Sequence, residues 1–336
     1  MSNIADLPLD VLQDAHPCVG EFFSTLGLDA ADSRLALGEW LAQLADEDIL
    51  DVGMERDQML AHIQRLINEV ADMNQTADGV VRSLTLIGGR DKAGTPETAR
   101  LVVRAGEVVC IVGPTGSGKS RLLADIECLA QGDTPTGRRI LIDSQPPDPE
   151  RRYALDRKLV AQLSQNMNFV VDLTVREFIA MHARCRLVAD PDAVTDQVIA
   201  CANELTGEKF APEVSVTQLS GGQTRALMIA DVALLSAAPI VLIDEIENAG
   251  VDRRRALELL VTGSKIVFIS THDPLLALRG AQRIVIRNGG IADILATSAQ
   301  ERRNLNRLES LDALLLEIRE RLRRGLRIEE ELQWSL

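Results

Sequence analysis

The chain has 336 residues, 46% of them hydrophobic, enough for one large or two ordinary domains with real cores. A net charge of −14 and an aromatic content of 3% argue against a broad grip on nucleic-acid backbone and against a wide base-stacking surface, so no nucleic acid partner is expected. No apolar stretch approaches the roughly 20 residues of a spanning helix, and the opening MSNIADLPLD has no basic segment followed by an apolar one. A cytoplasmic chain is expected, at most peripheral at the inner face of a membrane.

Residues 1–74 read as a helical N-terminal module. SRLALGEWLAQLAD sets Leu35, Leu37, Trp40, Leu41 and Leu44 largely on one helical face after a cap at Asp32 or Ser33, and MLAHIQRLINEV repeats the period through Leu60, Ile63, Leu66 and Ile67. The polar, glycine-containing ADMNQTADG is the predicted boundary. From Val80 the pattern changes to short β-like runs, VVRSLTLIGG and RLVVRAGEVVCIVG, followed by alternating helical and strand segments, which predicts an α/β layer around a central sheet. AQRIVIRNGGIADIL gives two strand-like pieces across an Asn-Gly-Gly turn. Residues 298–336 carry an amphipathic stripe of Leu305, Leu308, Leu311, Leu315, Ile318 and Leu322, too short for a confident coiled coil and better read as a helix on its own domain. Cys18, Cys110, Cys128, Cys185 and Cys201 are scattered, as are His16, His62, His182 and His272, so free thiols are expected and no zinc or iron–sulfur site.

GPTGSGKS supplies Gly113, Pro114, Thr115, Gly116, Ser117, Gly118, Lys119 and Ser120 in the GxxxxGK[ST] pattern between the apolar run VVCIV and the helical RLLADIECLA. Glycines let consecutive backbone N–H groups turn inward around phosphate oxygens, and the helix adds its positive end. Lys119 would neutralise the terminal phosphates and Ser120 would ligate Mg²⁺. IVLIDE ends a buried run in Asp244, which can hold the magnesium through a coordinated water, and Glu245, which can orient or deprotonate an attacking water. Ordinary solvated acids at a strand end are the plainer reading of that segment alone. It loses weight because a P-loop needs a carboxylate on a neighbouring strand.

LSGGQ, Leu219 to Gln223, resembles the signature pentapeptide of the ATP-binding cassette (ABC) ATPase family. The resemblance runs over roughly Val80 to Thr297. It implies a P-loop NTPase with an ABC-type mixed sheet core, a helical subdomain at about 173–218 within a domain of 75–297, and antiparallel β pieces; the helical pattern of 1–74 adds a small all-α domain in front of it. It also implies that Ser220, Gly221, Gly222 and Gln223 form a second phosphate nest that docks on ATP held by another cassette. KLVAQLSQNMNFVVDLTVREF puts Gln165 at the place of the family's Q-loop glutamine, a contact to Mg²⁺ or its water, and IVFISTHD puts His272 at the place of its switch histidine. ATP hydrolysis to ADP and phosphate is therefore expected, with Glu245, His272 and Gln165 as catalytic residues and Ser120, Gln165 and Asp244 around Mg²⁺.

Two departures stand out. The family's adenine-stacking aromatic is missing, since no Phe, Tyr or Trp lies between Trp40 and Tyr153, and Arg82 or Arg90 are the candidates to replace it. The family's Ser-Ala-Leu-Asp loop reads Asn248 to Asp252, one residue later, and Ile246 stands in place of a proline. With one P-loop and one signature, a complete site needs two cassettes head to tail, a homodimer being expected. The resemblance implies, as the expected work, that of a transporter's ATP-binding subunit gripping a separate membrane-spanning subunit; the alternative is a soluble non-transport cassette that remodels, assembles or regulates a client protein. The N-terminal module bears a faint resemblance to small helical domains of redox-associated bacterial proteins, around LDVLQDAHPCVGEFFSTLGL. A DNA-repair or chromosome-type cassette is disfavoured, because no long coiled-coil or zinc insertion separates P-loop and signature.

Overall fold

A computed structural model describes residues 4–28, 30, 33–75, 81–149, 152, 158–164, 169–186, 188–245 and 250–329. The chain divides into two compact units, Met1–Val80 and Val81–Leu336.

In the first unit the apolar residues recur at helical spacing and the chain forms α1 (Leu9–Ala15), α2 (Pro17–Thr25), α3 (Leu37–Gln43), α4 (Asp46–Val52) and α5 (Arg56–Gln75). Leu9, Leu12, Val19, Phe23, Leu37, Met59 and Ile63 are fully buried in its core. The ring of Phe23 meets Trp40 edge-on at 4.8 Å. Two expectations differ from the structure. Helix α3 starts at Leu37 behind Ala36, with no side-chain cap: Ser33 lies too far upstream, its Oγ accepting the N–H of Leu35 and its carbonyl that of Asp10, and Asp32 lies outside the described residues. Helix α5 continues through Gln75, so the first residues of the polar ADMNQTADG stretch are helical, as their propensities allow.

The second unit opens with strands β1 (Ser83–Ile87), β2 (Arg100–Arg104) and β3 (Val108–Val112), helix α6 (Lys119–Glu127), and strands β4 (Arg139–Ile142) and β5 (Val160–Leu163). Three helices follow, α7 (Val175–Cys185), α8 (Pro191–Leu205) and α9 (Gly221–Leu234). Then come β6 (Ile240–Asp244), α10 (Arg253–Thr262), β7 (Ile266–Ser270), α11 (Pro274–Arg279), β8 (Gln282–Arg287), β9 (Gly290–Ala296) and α12 (Ala299–Arg323). A six-stranded sheet has the order β5-β6-β7-β3-β8-β9, parallel except for the β8–β9 hairpin. A three-stranded antiparallel sheet has the order β2-β1-β4.

The parallel strands are near-continuous apolar runs because both of their faces are covered. Leu242 and Phe268 point to the layer that contains α6, whereas Val241, Ile243, Val267 and Ile269 point to the layer of α9 and α10, the alternation that strand geometry demands. The edge strand β2 instead buries only Leu101 and Val103. Asn288 and Gly289 both take positive φ, 48° and 79°, which suits the two-residue turn joining β8 to β9. Val175, Phe178, Ile179, Val198 and Leu227 bind α7, α8 and α9 into a separate core. Helix α12 starts on a Ser298–Glu301 capping box and lies against α11; Arg279 of α11 pairs with Glu309, and Arg283 of β8 pairs with Glu301. No residue of α12 is fully buried. Among the described residues no helix is long and apolar enough to cross a membrane.

Candidate functional site

The carboxyl ends of β3, β6 and β7 lie side by side, the place where parallel sheets present ligand-binding loops. From β3 the chain enters Gly113–Gly118 and then α6, whose first residue is Lys119. Gly118 has φ +111°, and a Cβ there would stand 2.9 Å from Cα of Gly289. A Cβ at Gly113 would stand 2.5 Å from the carbonyl oxygen of Ile286. The cradle therefore requires glycine at both positions. Pro114, Thr115 and Gly116 are exposed, while Lys119 is 9% exposed and its Nζ donates to the carbonyls of Gly113 at 3.0 Å and Pro114 at 3.4 Å. Ser117 Oγ is buried with no hydrogen-bond partner among the described residues. A buried unpaired hydroxyl costs stability unless something else pairs with it, and phosphate oxygens would.

Asp244 is opposite Ser270 in the β6–β7 register, and Ser120 Oγ donates to its Oδ2 at 3.5 Å. The carboxylate does not sit on the strand bonded to β3, since β7 lies between; Ser120 spans that gap. A hydroxyl and a carboxylate oxygen converging this way are the donor set that a hard divalent cation takes. Glu245 follows with φ +51°, a left-handed conformation that costs a non-glycine residue about 1 kcal/mol or more. Its N–H donates to the Ser270 carbonyl at 3.0 Å. His272 follows β7, and its Nδ1 is 4.0 Å from Glu245 Oε1, with 60% of the imidazole exposed. The two side chains thus share one open wall beside the P-loop strand, to which Thr271 is tied through the carbonyl of Ile111.

Ser220 caps α9 reciprocally with Gln223: Ser220 Oγ accepts the Gln223 N–H at 3.3 Å and Gln223 Oε1 accepts the Ser220 N–H at 2.8 Å. Ser220 and Gly221 are exposed, so the start of α9 is presented to solvent. Gln165 lies outside the described residues, as do Ile246, Asn248 and Ala249. Of the unusual loop, Gly250 is exposed, Val251 is buried in the α9–α10 layer and Asp252 caps α10 through the N–H groups of Arg254 and Arg255.

Of the two arginines considered for adenine, Arg82 is not near the P-loop: its backbone is bound to Asp143 at the start of β1, away from the Gly88–Gly89 end. Arg90 lies against Thr136 and Gly137. A basic residue that does reach the loop is Lys92, whose Nζ donates to the Gly116 carbonyl at 3.1 Å and whose stem fills the space that a Cβ on Gly289 would take.

A second group that no sequence pattern marks stands behind the cradle. Arg138, fully buried, pairs with Glu97 at 2.6 Å and Asp125 at 3.0 Å and donates to the Gly289 carbonyl at 2.8 Å. Gly289 N–H in turn donates to the Ser117 carbonyl at 2.7 Å. The guanidinium thereby supports the P-loop through the β8–β9 turn. Burial works to raise the Glu97 carboxyl, but its bonds from Arg138 and from the N–H groups of Gly89 and Ile291 outweigh that and hold it below its ordinary 4.5.

A glycine cradle with a lysine at the start of its helix, a serine–carboxylate pair beside it and a glutamate at the end of the next strand but one define a P-loop nucleoside triphosphatase. The family model of ABC transporters matches residues 97–248. An uncharacterized ABC transporter ATP-binding protein of Methanocaldococcus jannaschii is 52% identical over 252 residues, 75% of this chain and 96% of that protein. This chain therefore belongs to the ATP-binding cassette family, and it is an ATP-binding protein that hydrolyses ATP to ADP and phosphate. Human ATP-binding cassette sub-family G member 8 is 33% identical over 51% of the chain, and the macrolide export ATP-binding/permease protein MacB of Brucella abortus 33% identical over 57%. The matched region is 26% and 30% of those longer proteins. A solved ATP-binding subunit of an ABC transporter shares the fold over 70% of this chain and 98% of its own, with a TM-score of 0.51 and 22% identity.

Proposed function

We propose that the chain is the ATP-binding subunit of a transporter and works as a head-to-tail pair of cassettes. Residues 75–297 would form the cassette, with a helical subdomain at 173–218, and 1–74 and 298–336 would be its additions; a unit boundary after Val80 supports the first division. The observation that carries the reading is that one wall holds the P-loop, the Ser120–Asp244 pair and the Glu245–His272 pair, while the Ser220 cap of α9 is turned to solvent with its own bonds satisfied by Gln223. A second cassette presenting its own Ser220, Gly221 and Gly222 would complete the phosphate shell.

In this reading Gly113–Lys119 bind the phosphates through backbone N–H groups, and Lys119 exchanges its loop carbonyls for phosphate oxygens. Ser120 and Asp244 would hold Mg²⁺, with Gln165 as the third expected contact; the cation, when bound, neutralises charge on the phosphates. Glu245 takes a proton from the attacking water, and His272 orients the γ-phosphate side of the site. Loss of that phosphate removes the ligand both cassettes share, and the pair relaxes.

Glu245→Gln tests the chemistry and the pairing together. Turnover is expected to fall by about 10²- to 10⁴-fold while MgATP drives the variant into a stable dimer on size-exclusion chromatography. Undiminished turnover would remove Glu245 as base, and a monomer at saturating ATP would remove the pair. Affinity purification of the full chain from detergent-solubilised native cells is expected to recover a protein with several spanning helices. Recovery of soluble proteins alone would overturn the transport role and favour the remodelling one.

A further inference from the structure

Helix α9 begins with the exposed Ser220 cap and, five residues later and about 7.5 Å further along its axis, carries Arg225, which is only 6% exposed. That arginine points into the sheet. Its Nη1 donates to the backbone carbonyl of Glu245 at 2.6 Å and its Nη2 to the backbone carbonyl of Ser164 at 3.2 Å. Ser164 follows β5 and Glu245 follows β6, neighbouring parallel strands in which Leu163 faces Ile243. One planar fork thus joins two adjacent strand ends, a geometry that suits the fixed donor directions of a guanidinium.

Glu245 needs such holding. It stands at φ +51°, in a left-handed conformation that its side chain disfavours. On its amino side the N–H is fixed to Ser270 of β7 at 3.0 Å, and on its carbonyl side the oxygen is fixed by Arg225. Those two anchors hold the backbone from which the carboxylate projects to within 4.0 Å of His272. The second anchor belongs to the helix whose first turn would touch the partner cassette's ATP.

We propose that Arg225 is a positioning residue for hydrolysis: from the signature helix it sets the backbone of Glu245, so that engagement of Ser220 by the opposing nucleotide is transmitted to the general base through a rigid helix and one guanidinium. The proposal rests on the reading of Glu245 as base given above. Arg225 touches no reacting atom, and its effect is on the placement of Glu245.

The test is steady-state kinetics of the full chain carrying Arg225→Gln, Arg225→Lys and the double substitution Arg225→Gln/Glu245→Gln, with thermal unfolding to verify folding. Misplacement of a base costs about 10- to 100-fold in kcat, so Arg225→Gln is expected to lose that much while KM for ATP changes by less than about threefold. Arg225→Lys, able to hold one carbonyl but not both, should fall between wild type and Gln. The double variant should be no slower than Glu245→Gln alone, because a residue that acts through the base has nothing left to position. A folded Arg225→Gln with full kcat overturns the proposal, as does a loss that multiplies onto that of Glu245→Gln. If the Gln variant does not fold, Arg225→Lys decides by the same split between kcat and KM. Retained turnover in Glu245→Gln would instead defeat the reading of the base, whatever Arg225 does.

Discussion

Two buried arginines serve the same site by different means. Arg138 stands behind the P-loop, where Glu97, Asp125 and the Gly289 carbonyl surround it. Arg225 lies under the start of α9 and holds the backbone carbonyls of Glu245 and Ser164. The first links β4, α6 and the β8–β9 turn into one block that supports a loop whose shape must suit phosphate before phosphate arrives. The second ties a helix with an exposed start to a residue in a strained conformation. On the proposed reading, binding would be served by a preformed, internally paired cluster, and hydrolysis by a contact that a change at the helix start could disturb. The difference predicts separable losses: stability from one arginine, turnover from the other.

The largest expected effect breaks the P-loop side. Arg138→Met leaves Glu97 and Asp125, whose side chains are 3% and 1% exposed, without their cation. Unpairing buried charges costs about 3–5 kcal/mol, to be read from denaturant unfolding of the full chain. Turnover per folded molecule should fall far less than in Arg225→Gln. A loss below about 1 kcal/mol would put the Arg138 cluster in the class of exposed ion pairs and end the contrast.

A smaller effect separates the same cluster by pH. Glu97 has a folded value below its ordinary 4.5, so its contribution to stability is fully present above that value and is lost as pH falls through the lower folded value. Glu97→Gln cannot titrate there. The variant should be less stable than wild type at neutral pH, and the gap should narrow as pH falls through Glu97's folded value, measured by urea midpoints at a series of pH values. A gap independent of pH would place the acid sensitivity on other carboxylates.

What could be read in the sequence follows the same division. The P-loop, Asp244, Glu245, Ser220 and His272 sit in short patterns because backbone geometry demands those residue types at fixed spacing: glycines where N–H groups must turn inward, acids where a buried strand ends, a serine with glutamine three residues on at a helix start. The β8–β9 turn was legible for the same reason, since Asn-Gly supplies two positive φ angles. Arg138 was not, because it is 41 residues from Glu97 and 13 from Asp125 and the three meet only through the sheet. Arg225 looks, in sequence, like any arginine on a helix; its burial depends on which face of α9 the sheet covers. The cap expected at Ser33 failed because the helix begins only at Leu37, and the Ser33 hydroxyl accepts the N–H of Leu35 in the turn before it. Arg82 as an adenine contact failed because β1 carries it to the far end of its sheet.

Lys92 gives the smallest effect and sharpens the picture of the P-loop side from outside. Its ammonium donates to the Gly116 carbonyl at 3.1 Å, and its stem passes over Gly289, the same turn that Arg138 holds from within. The exposed bond braces the outer lip of the cradle without entering it. An exposed bond of this kind is worth about 1 kcal/mol at most, so Lys92→Ala should weaken nucleotide binding by no more than about fivefold. Because the contact is to the loop, MgATP and MgGTP should weaken by the same factor in fluorescence titrations. A selective loss of MgATP would mean that Lys92 faces the base, and would make it the residue that replaces the missing aromatic.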